Sequence, residues 1–507
     1  MTRWMRWIIP ILVVGLAVVV FACAPPKPEP VKTVTIPAET YDPAVWGKAY
    51  PLEYETWKAT ENERPVGLSR YKKGYDGGKT FDKLSEYPYM ALLFSGWGFG
   101  IEYNEPRGHH FMLIDQQQVD PSRVKAGGVC LTCKTPYAPK LQKEKGSSYY
   151  STPYEQAVGL LPAQHRTLGA ACIDCHDEKD MSLVVRRWTI QAGVKDLGRT
   201  LPQDAKPGDA SPAVLAHGEM RSVVCGQCHC SYIVTKDKVG KSTSVYFPWK
   251  GSKWGDISIE NIITEIQRDA ANLEWQQAVT GFKVGYIRHP EFEFYTDASV
   301  HFKEGVSCAD CHLPYKVSGA SKFSDHDLMS PLKNGMRACL QCHPGETEKL
   351  KAQVFAIQDR TVASIQKAGL ACAVDAQLFE MVNAKRKVGD PTHYDDPDYA
   401  AARDAYLQAF YRVVYLGAEN SVGFHNPTEA GRMAADALAY AGRAEGILKG
   451  MLSKEGITVP AEVPLDLRKY LDARGAKKLG FAKEQEFKDP FKVTDALYPE
   501  NMKALRK

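Results

Sequence analysis

Ten of the 13 cysteines stand in five Cys-x-x-Cys pairs, and histidine follows directly after four of these pairs. The four segments with histidine are Cys172, Cys175 and His176; Cys225, Cys228 and His229; Cys308, Cys311 and His312; and Cys339, Cys342 and His343. At this spacing two thiols can form thioether bonds to one edge of a porphyrin, while the next imidazole lies beneath the ring and binds iron. Zinc sites and disulfides also use cysteine pairs, but neither requires a histidine after each pair. The four segments therefore predict four covalently attached c-type haems.

The fifth pair, Cys130 and Cys133, is followed by Lys134 instead of histidine. A lysine binds a metal only as the free amine, so an iron in this loop would have a ligand unlike that of its four neighbours. The alternatives are a decayed haem site and a simple cysteine pair. The pair predicts a fifth c-type haem, whose iron is bound by Lys134.

The order of one CxxCK and four CxxCH segments resembles the pentahaem cytochrome c nitrite reductases, which form ammonia. The resemblance covers about residues 87–429, and its motifs are highly specific. It implies six-electron reduction of nitrite to ammonium at the lysine-ligated haem, with electrons supplied by the other four haems. The alternative is a pentahaem electron-transfer cytochrome that binds no substrate.

Nine histidines lie outside the CxxCH segments, and they are the candidates for second iron ligands. An iron bound by two histidines changes valence without binding substrate, so each electron-carrying haem needs one more histidine above the ring. The resemblance implies that these ligands are His109, His301, His326 and His425. His110 stands beside His109, so the register there is open by one residue.

The family pattern assigns no histidine above the iron of the Lys134 loop, whose sixth position is therefore expected to be open, as a catalytic metal needs. The resemblance implies three further active-site residues, which are Arg123, Tyr232 and His289. Arg123 and His289 would donate hydrogen bonds to the nitrite oxygens as negative charge builds on them. Tyr232 would orient ligands and pass protons or an electron.

Two positions depart from most members of the resembled family, which hold a calcium ion beside the active haem. The family's glutamate before the active-site tyrosine is Ser231 here, and its glutamine before the active-site histidine is Arg288. Loss of the carboxylate removes charge that a hard dication needs, and a guanidinium would occupy the ion's place. We therefore expect no calcium, and we expect Arg288 to keep positive charge near the substrate and to brace the loop of His289. The alternative is an Arg288 that points to the surface beside a water-filled gap.

The elements that position these residues are expected to form a mainly α multihaem c-type cytochrome with little β structure. Glycine and proline between the motifs predict loops wrapped around porphyrins in a pentahaem catalytic core at 41–345. Apolar periodicity predicts long helices at 350–387, 398–418 and 429–452, within a C-terminal helical region at 346–507. The resemblance implies that these helices make a homodimer interface; packing against the same chain is the alternative.

The first residues predict export. Segment 1–23 places Arg3 and Arg6 before an apolar run that ends at Cys23, which is similar to a bacterial lipoprotein cleavage box. Lipidation of Cys23, an uncleaved anchor and ordinary cleavage are the alternatives, and the proline-rich segment 24–40 predicts an extended linker. We expect a periplasmic protein attached to the membrane, with a membrane quinol-oxidising multihaem cytochrome or a small periplasmic cytochrome as its electron donor.

The charge balance argues against nucleic-acid partners. Lys and Arg number 64 and Asp and Glu number 60, which gives a net charge of +4 over 507 residues. This is no basic excess of the kind that nucleic-acid binding requires, and the chain contains no GxxxxGK[ST] phosphate loop. Nitrite therefore stays the expected substrate, with no nucleic acid as partner.

Overall fold

The computed structural model describes residues 35–72, 74, 81–206, 213–474 and 487–507. Within these ranges the chain is mainly helical with little strand, so the predicted fold class is confirmed. The export segment with Cys23 and most of the predicted linker lie outside the described residues. None of the helices in the described ranges is both long enough and apolar enough to span a bilayer.

The first two thirds of the chain form short helices joined by loops. The α-helices in this part are Pro43–Gly47, Pro51–Lys58, Lys83–Glu86, Tyr89–Leu93, Gly98–Ile101, Met112–Gln118, Ala138–Lys145, Ser148–Ser151, Tyr154–Gly159, Trp188–Asp196, His217–Gly226, Ile259–Gln267, Glu291–Thr296, Val300–Lys303, Cys308–His312 and Arg337–Leu340. The 3₁₀ turns are Ala59–Glu61, Pro121–Val124, Gly127–Leu131, Ala163–His165, Cys172–Asp174, Pro202–Asp204, Ala270–Asn272, Pro331–Asn334 and Pro391–His393. Several begin with proline at the first helical position, where its missing N–H has no helical partner to lose.

Three antiparallel hairpins hold loops that carry predicted active-site residues. The strand pairs are β1 (Ile233–Lys236) with β2 (Ser242–Tyr246), β3 (Trp275–Gln276) with β4 (Lys283–Val284), and β5 (Tyr315–Ser318) with β6 (Ser321–Ser324). Tyr232 stands immediately before β1, and His289 follows β4 after a short loop. The first two hairpins therefore fix the ends of both loops.

Three long helices follow the last CxxCH segment. They are α1 (Thr347–Arg386), α2 (Pro397–Ala418) and α3 (Pro427–Lys454), and they pack against one another. Both α2 and α3 start with proline, and the side chains of Asp396 and Asn426 accept hydrogen bonds from the first turn of each helix. The helices predicted from periodicity are thus confirmed, with ends shifted by a few residues. Beyond them lie Leu467–Asp472, Val493–Leu497 and Pro499–Leu505.

One hydrophobic cluster joins the haem-loop region to the long helices. It extends from Leu84 to Leu505 and includes residues of helix Tyr89–Leu93 and of α1. The ring of Tyr89 lies so close to Gly369 of α1 that an added Cβ would stand 2.2 Å from a ring atom. The helical region therefore supports the loops directly. The predicted boundary at 345/346 lies just before α1, and the division into domains stays a prediction.

Candidate haem centres and active site

All five cysteine pairs face one cavity of about 1300 Å³. Its wall contains every cysteine of the pairs, the residue that follows each pair, and the four histidines proposed as second ligands. No disulfide joins any cysteine of the described ranges. No three of the described His, Cys, Asp and Glu side chains converge as a site for a bare metal ion. This arrangement fits flat cofactors held by thioether bonds better than zinc sites or disulfides.

Each histidine of a CxxCH segment lies opposite one of the predicted second ligands. The ring centroids are 6.0 Å apart for His109 and His229, 6.2 Å for His176 and His326, 6.4 Å for His301 and His343, and 6.3 Å for His312 and His425. Two imidazoles that bind one metal from opposite sides, at about 2 Å from each nitrogen, have centroids roughly 6 Å apart. The residues present therefore fit four irons with two histidine ligands each.

The Nδ1 atoms of several of these histidines are engaged by protein oxygens. Nδ1 lies 2.9 Å from the carbonyl of Met181 in His176, 2.9 Å from that of Met329 in His312, and 2.9 Å from that of Ser324 in His326. In His425 it lies 2.8 Å from the carboxylate of Glu419. Such bonds fix the ring orientation and leave Nε2 for a metal, as is usual for ligating histidines.

The geometry distinguishes His109 from its neighbour. His109 lines the cavity opposite His229, whereas His110 contacts the ring of Phe111 and lies 4.0 Å from a carboxylate oxygen of Glu61. Burial lowers the pKa of His109 to about 3, so its ring stays neutral, as a metal ligand must. The position favours His109 over His110 as a ligand.

His289 lines the cavity beside the Lys134 loop. Its backbone has φ of +45°, a conformation that non-glycine residues rarely adopt and that occurs often at functional sites. Its Nδ1 lies 3.5 Å from the amide of Asn420, which also donates to Glu291. Burial lowers the pKa of His289 to about 3. His289 is therefore a neutral, oriented imidazole at the cavity wall.

Glu291 and Asn420 are residues that the sequence reasoning missed. Glu291 Oε2 lies 3.6 Å from Nδ1 of His229, and its Oε1 accepts from the backbone N–H of Asn420 at 3.1 Å. Burial opposes its ionisation, but the nearby imidazoles of His229 and His289 hold the pKa of Glu291 below its usual range. The sequence signal for Glu291 was the Pro-Glu pair directly after His289. That pair does not indicate that Glu291 contacts His229 or Asn420, which lie far away in the chain.

Tyr232 also lines the cavity. Burial raises the pKa of Tyr232, so the phenol stays protonated and can donate a hydrogen bond. The backbone N–H of Ser231 donates to Glu293 Oε1 at 2.7 Å, which holds the start of this loop. Tyr232 and His289 thus reach the same cavity from two hairpin-supported loops.

Arg288 is buried, and its partner is a carboxylate that the sequence did not reveal. Its two terminal nitrogens donate to the two oxygens of Glu274 at 2.6 and 2.5 Å, and the side chains are 9% and 4% exposed. The guanidinium also lies 4.9 Å from the ring centroid of Tyr232 and 5.0 Å from that of Tyr286. Because the side chain is buried, the alternative of an Arg288 that points to the surface does not hold. A buried arginine needs a carboxylate, but nothing in the sequence identifies which one.

Arg123 lies behind the cavity wall. Its guanidinium stacks 3.5 Å from the ring centroid of Phe99 and donates to the carbonyl of Glu102 at 2.6 Å. Its Nε has no hydrogen-bond acceptor among the described residues, and its charge interacts with Cys130. The structure therefore places Arg123 beside the first loop, although it does not bring the side chain to the cavity surface that Tyr232 and His289 share.

A family model described as cytochrome c552 matches residues 42–501. The chain belongs to the cytochrome c552 family. The chain is therefore a cytochrome with covalently attached c-type haem.

Individual relatives are similar over most of their length. A cytochrome c-552 of Bacteroides fragilis is 30% identical over 464 residues, which cover 89% of this chain and 85% of the relative. The cytochrome c nitrite reductase subunit NrfA of Nitratidesulfovibrio vulgaris is 27% identical over 430 residues, covering 79% of this chain and 77% of that subunit. A solved cytochrome c nitrite reductase of Desulfovibrio desulfuricans, described with two calcium sites in its catalytic subunit, has a TM-score of 0.70 at 23% identity. The structural match covers 89% of this chain and 99% of the solved chain, and this similarity shows that the two chains share a fold.

Proposed function

We propose that this protein reduces nitrite to ammonium in a six-electron reaction at the haem of the Lys134 loop. The observation that carries the proposal is the asymmetry of the five loops. The four CxxCH histidines each face a second histidine at 6.0 to 6.4 Å. Lys134 replaces histidine in the remaining loop, and it lies within electrostatic range of His289. One site for chemistry and four for electron transfer follow from this pattern.

The relatives support the same reaction. The similar protein of Nitratidesulfovibrio vulgaris is named as a nitrite reductase subunit, and so is the solved structure from Desulfovibrio desulfuricans. Nitrite is accordingly the proposed substrate of this chain, and the five covalent haems are its proposed cofactors.

Each active-site residue has a role that its surroundings allow. When bound at Cys130 and Cys133, the haem would supply the iron that takes the nitrite nitrogen and the electrons that reduce it. Neutral His289 can donate a hydrogen bond to a substrate oxygen on which negative charge builds. The protonated phenol of Tyr232 can orient the same ligand and pass a proton. Arg123, which lies behind the wall, adds positive charge beside Cys130.

The decisive measurement is the amount of ammonium formed per nitrite consumed by the purified, artificially reduced protein. A ratio of one supports the six-electron reaction. Formation of nitric oxide instead, or no consumption, contradicts it. If spectroscopy shows every iron low-spin and six-coordinate with no nitrite bound, the protein is the electron-transfer cytochrome that the sequence left as the alternative.

The proposal also covers calcium, the oligomeric state, membrane attachment and the electron donor. Calcium is absent from the proposed site, because Ser231 supplies no carboxylate and the guanidinium of Arg288 lies against the backbone carbonyl of Tyr232 at 3.5 Å. The protein is proposed to be a periplasmic homodimer joined through the long helices and attached to the membrane through Cys23 or an uncleaved anchor. Its proposed electron donor is a membrane quinol-oxidising multihaem cytochrome or a small periplasmic cytochrome. Light scattering of the purified protein tests the dimer.

A further inference from the structure

A buried arginine outside the predicted site connects the lysine loop to the second cysteine pair. Arg187 is 1% exposed and lies directly before helix Trp188–Asp196. Its Nε donates to the carbonyl of Thr132 at 2.6 Å, and one Nη donates to the carbonyl of Thr135 at 3.2 Å. The other Nη lies 2.8 Å from the carboxylate of Asp174. Thr132 and Thr135 bracket Lys134, and Asp174 stands between the cysteines of the second pair.

A buried glutamine extends the same connection to the third cysteine pair. Gln227 stands between Cys225 and Cys228 and is 1% exposed. Its side-chain oxygen accepts from the backbone N–H groups of Arg186 and Arg187 at 3.0 and 3.3 Å. Its amide donates to the carbonyl of Asp174 at 2.8 Å. The hydrogen bonds of Asp174, Arg187 and Gln227 therefore join the first three cysteine-pair loops.

We propose that Arg187 is a positioning residue that fixes Lys134 as an iron ligand by holding the two carbonyls on either side of it. This inference rests on the proposed function of the Lys134 site. A planar guanidinium presents several N–H groups in a fixed fork, so it can donate to two carbonyls and a carboxylate that lie in different directions. The lysine loop is a 3₁₀ helix continued by a turn, in which the backbone N–H of Lys134 donates to the carbonyl of Leu131 at 2.9 Å. Such a short irregular segment lacks the repeated bonds of an α-helix, so the carbonyls of Thr132 and Thr135 depend on Arg187 for further support.

A simpler role for Arg187 would be to neutralise the buried charge of Asp174. Removing one partner of a buried ion pair leaves an unpaired charge and destabilises a protein whatever else the pair does. The two roles separate in a double variant. Arg187→Gln with Asp174→Asn leaves no buried charge unpaired, but the shorter glutamine amide cannot replace the guanidinium bonds to the carbonyls of both Thr132 and Thr135.

The experiment compares the full haem-loaded protein with Arg187→Gln, Arg187→Lys and the double variant. Arg199→Gln is the control, because one terminal nitrogen of Arg199 donates to both oxygens of Glu219, its Nε donates to the carbonyl of Ala213, and none of these partners belongs to a cysteine-pair loop. The readouts are covalent haems per chain by intact mass, the electron paramagnetic resonance signal of the lysine-ligated iron, and kcat and KM for nitrite. Haem mass reports maturation, and the resonance signal reports Lys134 independently of turnover.

We expect the mature Arg187→Gln chain to keep its covalent haems but to show an altered signal at the lysine-ligated iron. Its kcat should fall roughly 10- to 100-fold, the scale for a displaced reacting group, with a smaller change in KM. The double variant should show the same defect, Arg187→Lys a weaker one, and Arg199→Gln none. If Arg187→Gln does not accumulate, the double variant and Arg187→Lys carry the same comparison.

Restoration of both the signal and kcat in the double variant would overturn the proposal in favour of simple charge neutralisation. Wild-type signal and kcat in both the double variant and Arg187→Lys would overturn it as well. If the wild type forms no ammonium while the variants still alter the signal of the lysine-ligated iron, the nitrite assignment fails and the positioning role stands.

Discussion

Arg288 and Glu274 form a two-point ion pair that is buried beneath the ring of Tyr232, with nitrogen–oxygen distances of 2.6 and 2.5 Å. The sequence led us to expect free positive charge near the substrate at this point. The carboxylate of Glu274 compensates that charge instead. We therefore expect Arg288 to act mainly by bracing the loops of Tyr232 and His289, because it contacts the first and directly precedes the second.

The first prediction concerns calcium and Arg288. Exhaustive chelation should leave nitrite turnover unchanged, and added calcium should not raise it. Arg288→Gln should lower turnover roughly tenfold or more, because it leaves Glu274 buried without its partner. Pairing it with Glu274→Gln should recover part of the loss. Steady-state assays measure nitrite turnover in each case. Arg268→Gln is the control, because the side chain of Arg268 is 47% exposed. Calcium found between Tyr232 and His289 in purified protein would contradict the prediction.

The second prediction concerns the lysine ligand. Lys134→His keeps Cys130 and Cys133, so the number of covalent haems per chain should not change. The resonance signal of the first iron should change, and turnover should fall roughly 10- to 100-fold, as when a ligand environment is altered. Lys140→Ala, which removes a partly exposed lysine paired with Glu39, is the control. An unchanged signal would mean that Lys134 does not bind iron.

The third prediction concerns the substrate donors. His289→Ala and Arg123→Ala should each leave haem content intact and lower nitrite turnover by roughly 10²- to 10³-fold, the scale for loss of one transition-state donor. His393→Ala should have no effect, since that side chain is 80% exposed and pairs only with Asp390. Because Arg123 lies behind the wall, normal turnover in its variant would remove it from the site and leave His289 in place.

Local spacing explains what the sequence could predict. Each cysteine pair and the residue that follows it are neighbours in the chain. Haem attachment and the first iron ligand could therefore be predicted without a structure. The opposed histidines come from distant segments and required a family resemblance. The pairing of Arg288 with Glu274, and of Arg187 with Asp174, could not be predicted, because a buried arginine accepts any carboxylate that the fold brings near it. The choice between His109 and His110 likewise needed the position of His229.

The fourth prediction concerns a buried carboxyl in the helical region. Both side-chain oxygens of Asp375 in α1 are buried, and neither has a hydrogen-bond partner among the described residues. Burial, with the charge of Glu445, raises the pKa of Asp375 well above its usual value. An acid with a raised folded pKa stabilises the fold fully below its unfolded pKa near 3.9, and this contribution falls by about 1.4 kcal/mol per pH unit as pH rises toward the folded pKa.

Asp375→Asn removes that proton linkage. The variant should therefore melt above the wild type near pH 7, and the difference should shrink toward pH 4. Thermal unfolding of both proteins across this range measures it. Asp398→Asn, which changes an exposed carboxylate of α2, should show no such trend. A melting difference that does not depend on pH would mean that Asp375 does not change protonation on unfolding.

The fifth prediction concerns attachment to the membrane. If Cys23 is lipidated, the mature chain begins at Cys23 and carries acyl chains that partition it into membranes. Mass spectrometry of the mature N-terminus should show this, and Cys23→Ser should release active protein from the membrane fraction. Retention of Thr2 or Arg3 would indicate an uncleaved anchor instead.

The shared cavity sets an order for biosynthesis. Its walls come from segments spread between Trp46 and His425, so the cavity is complete only when distant parts of the chain have packed together. We therefore expect haem attachment to precede that packing and to act on an open chain. His425 directly precedes the cap of α3, and the docking of that helix brings the last histidine into place. We therefore expect the packing of α3 and the completion of the last histidine pair to occur together.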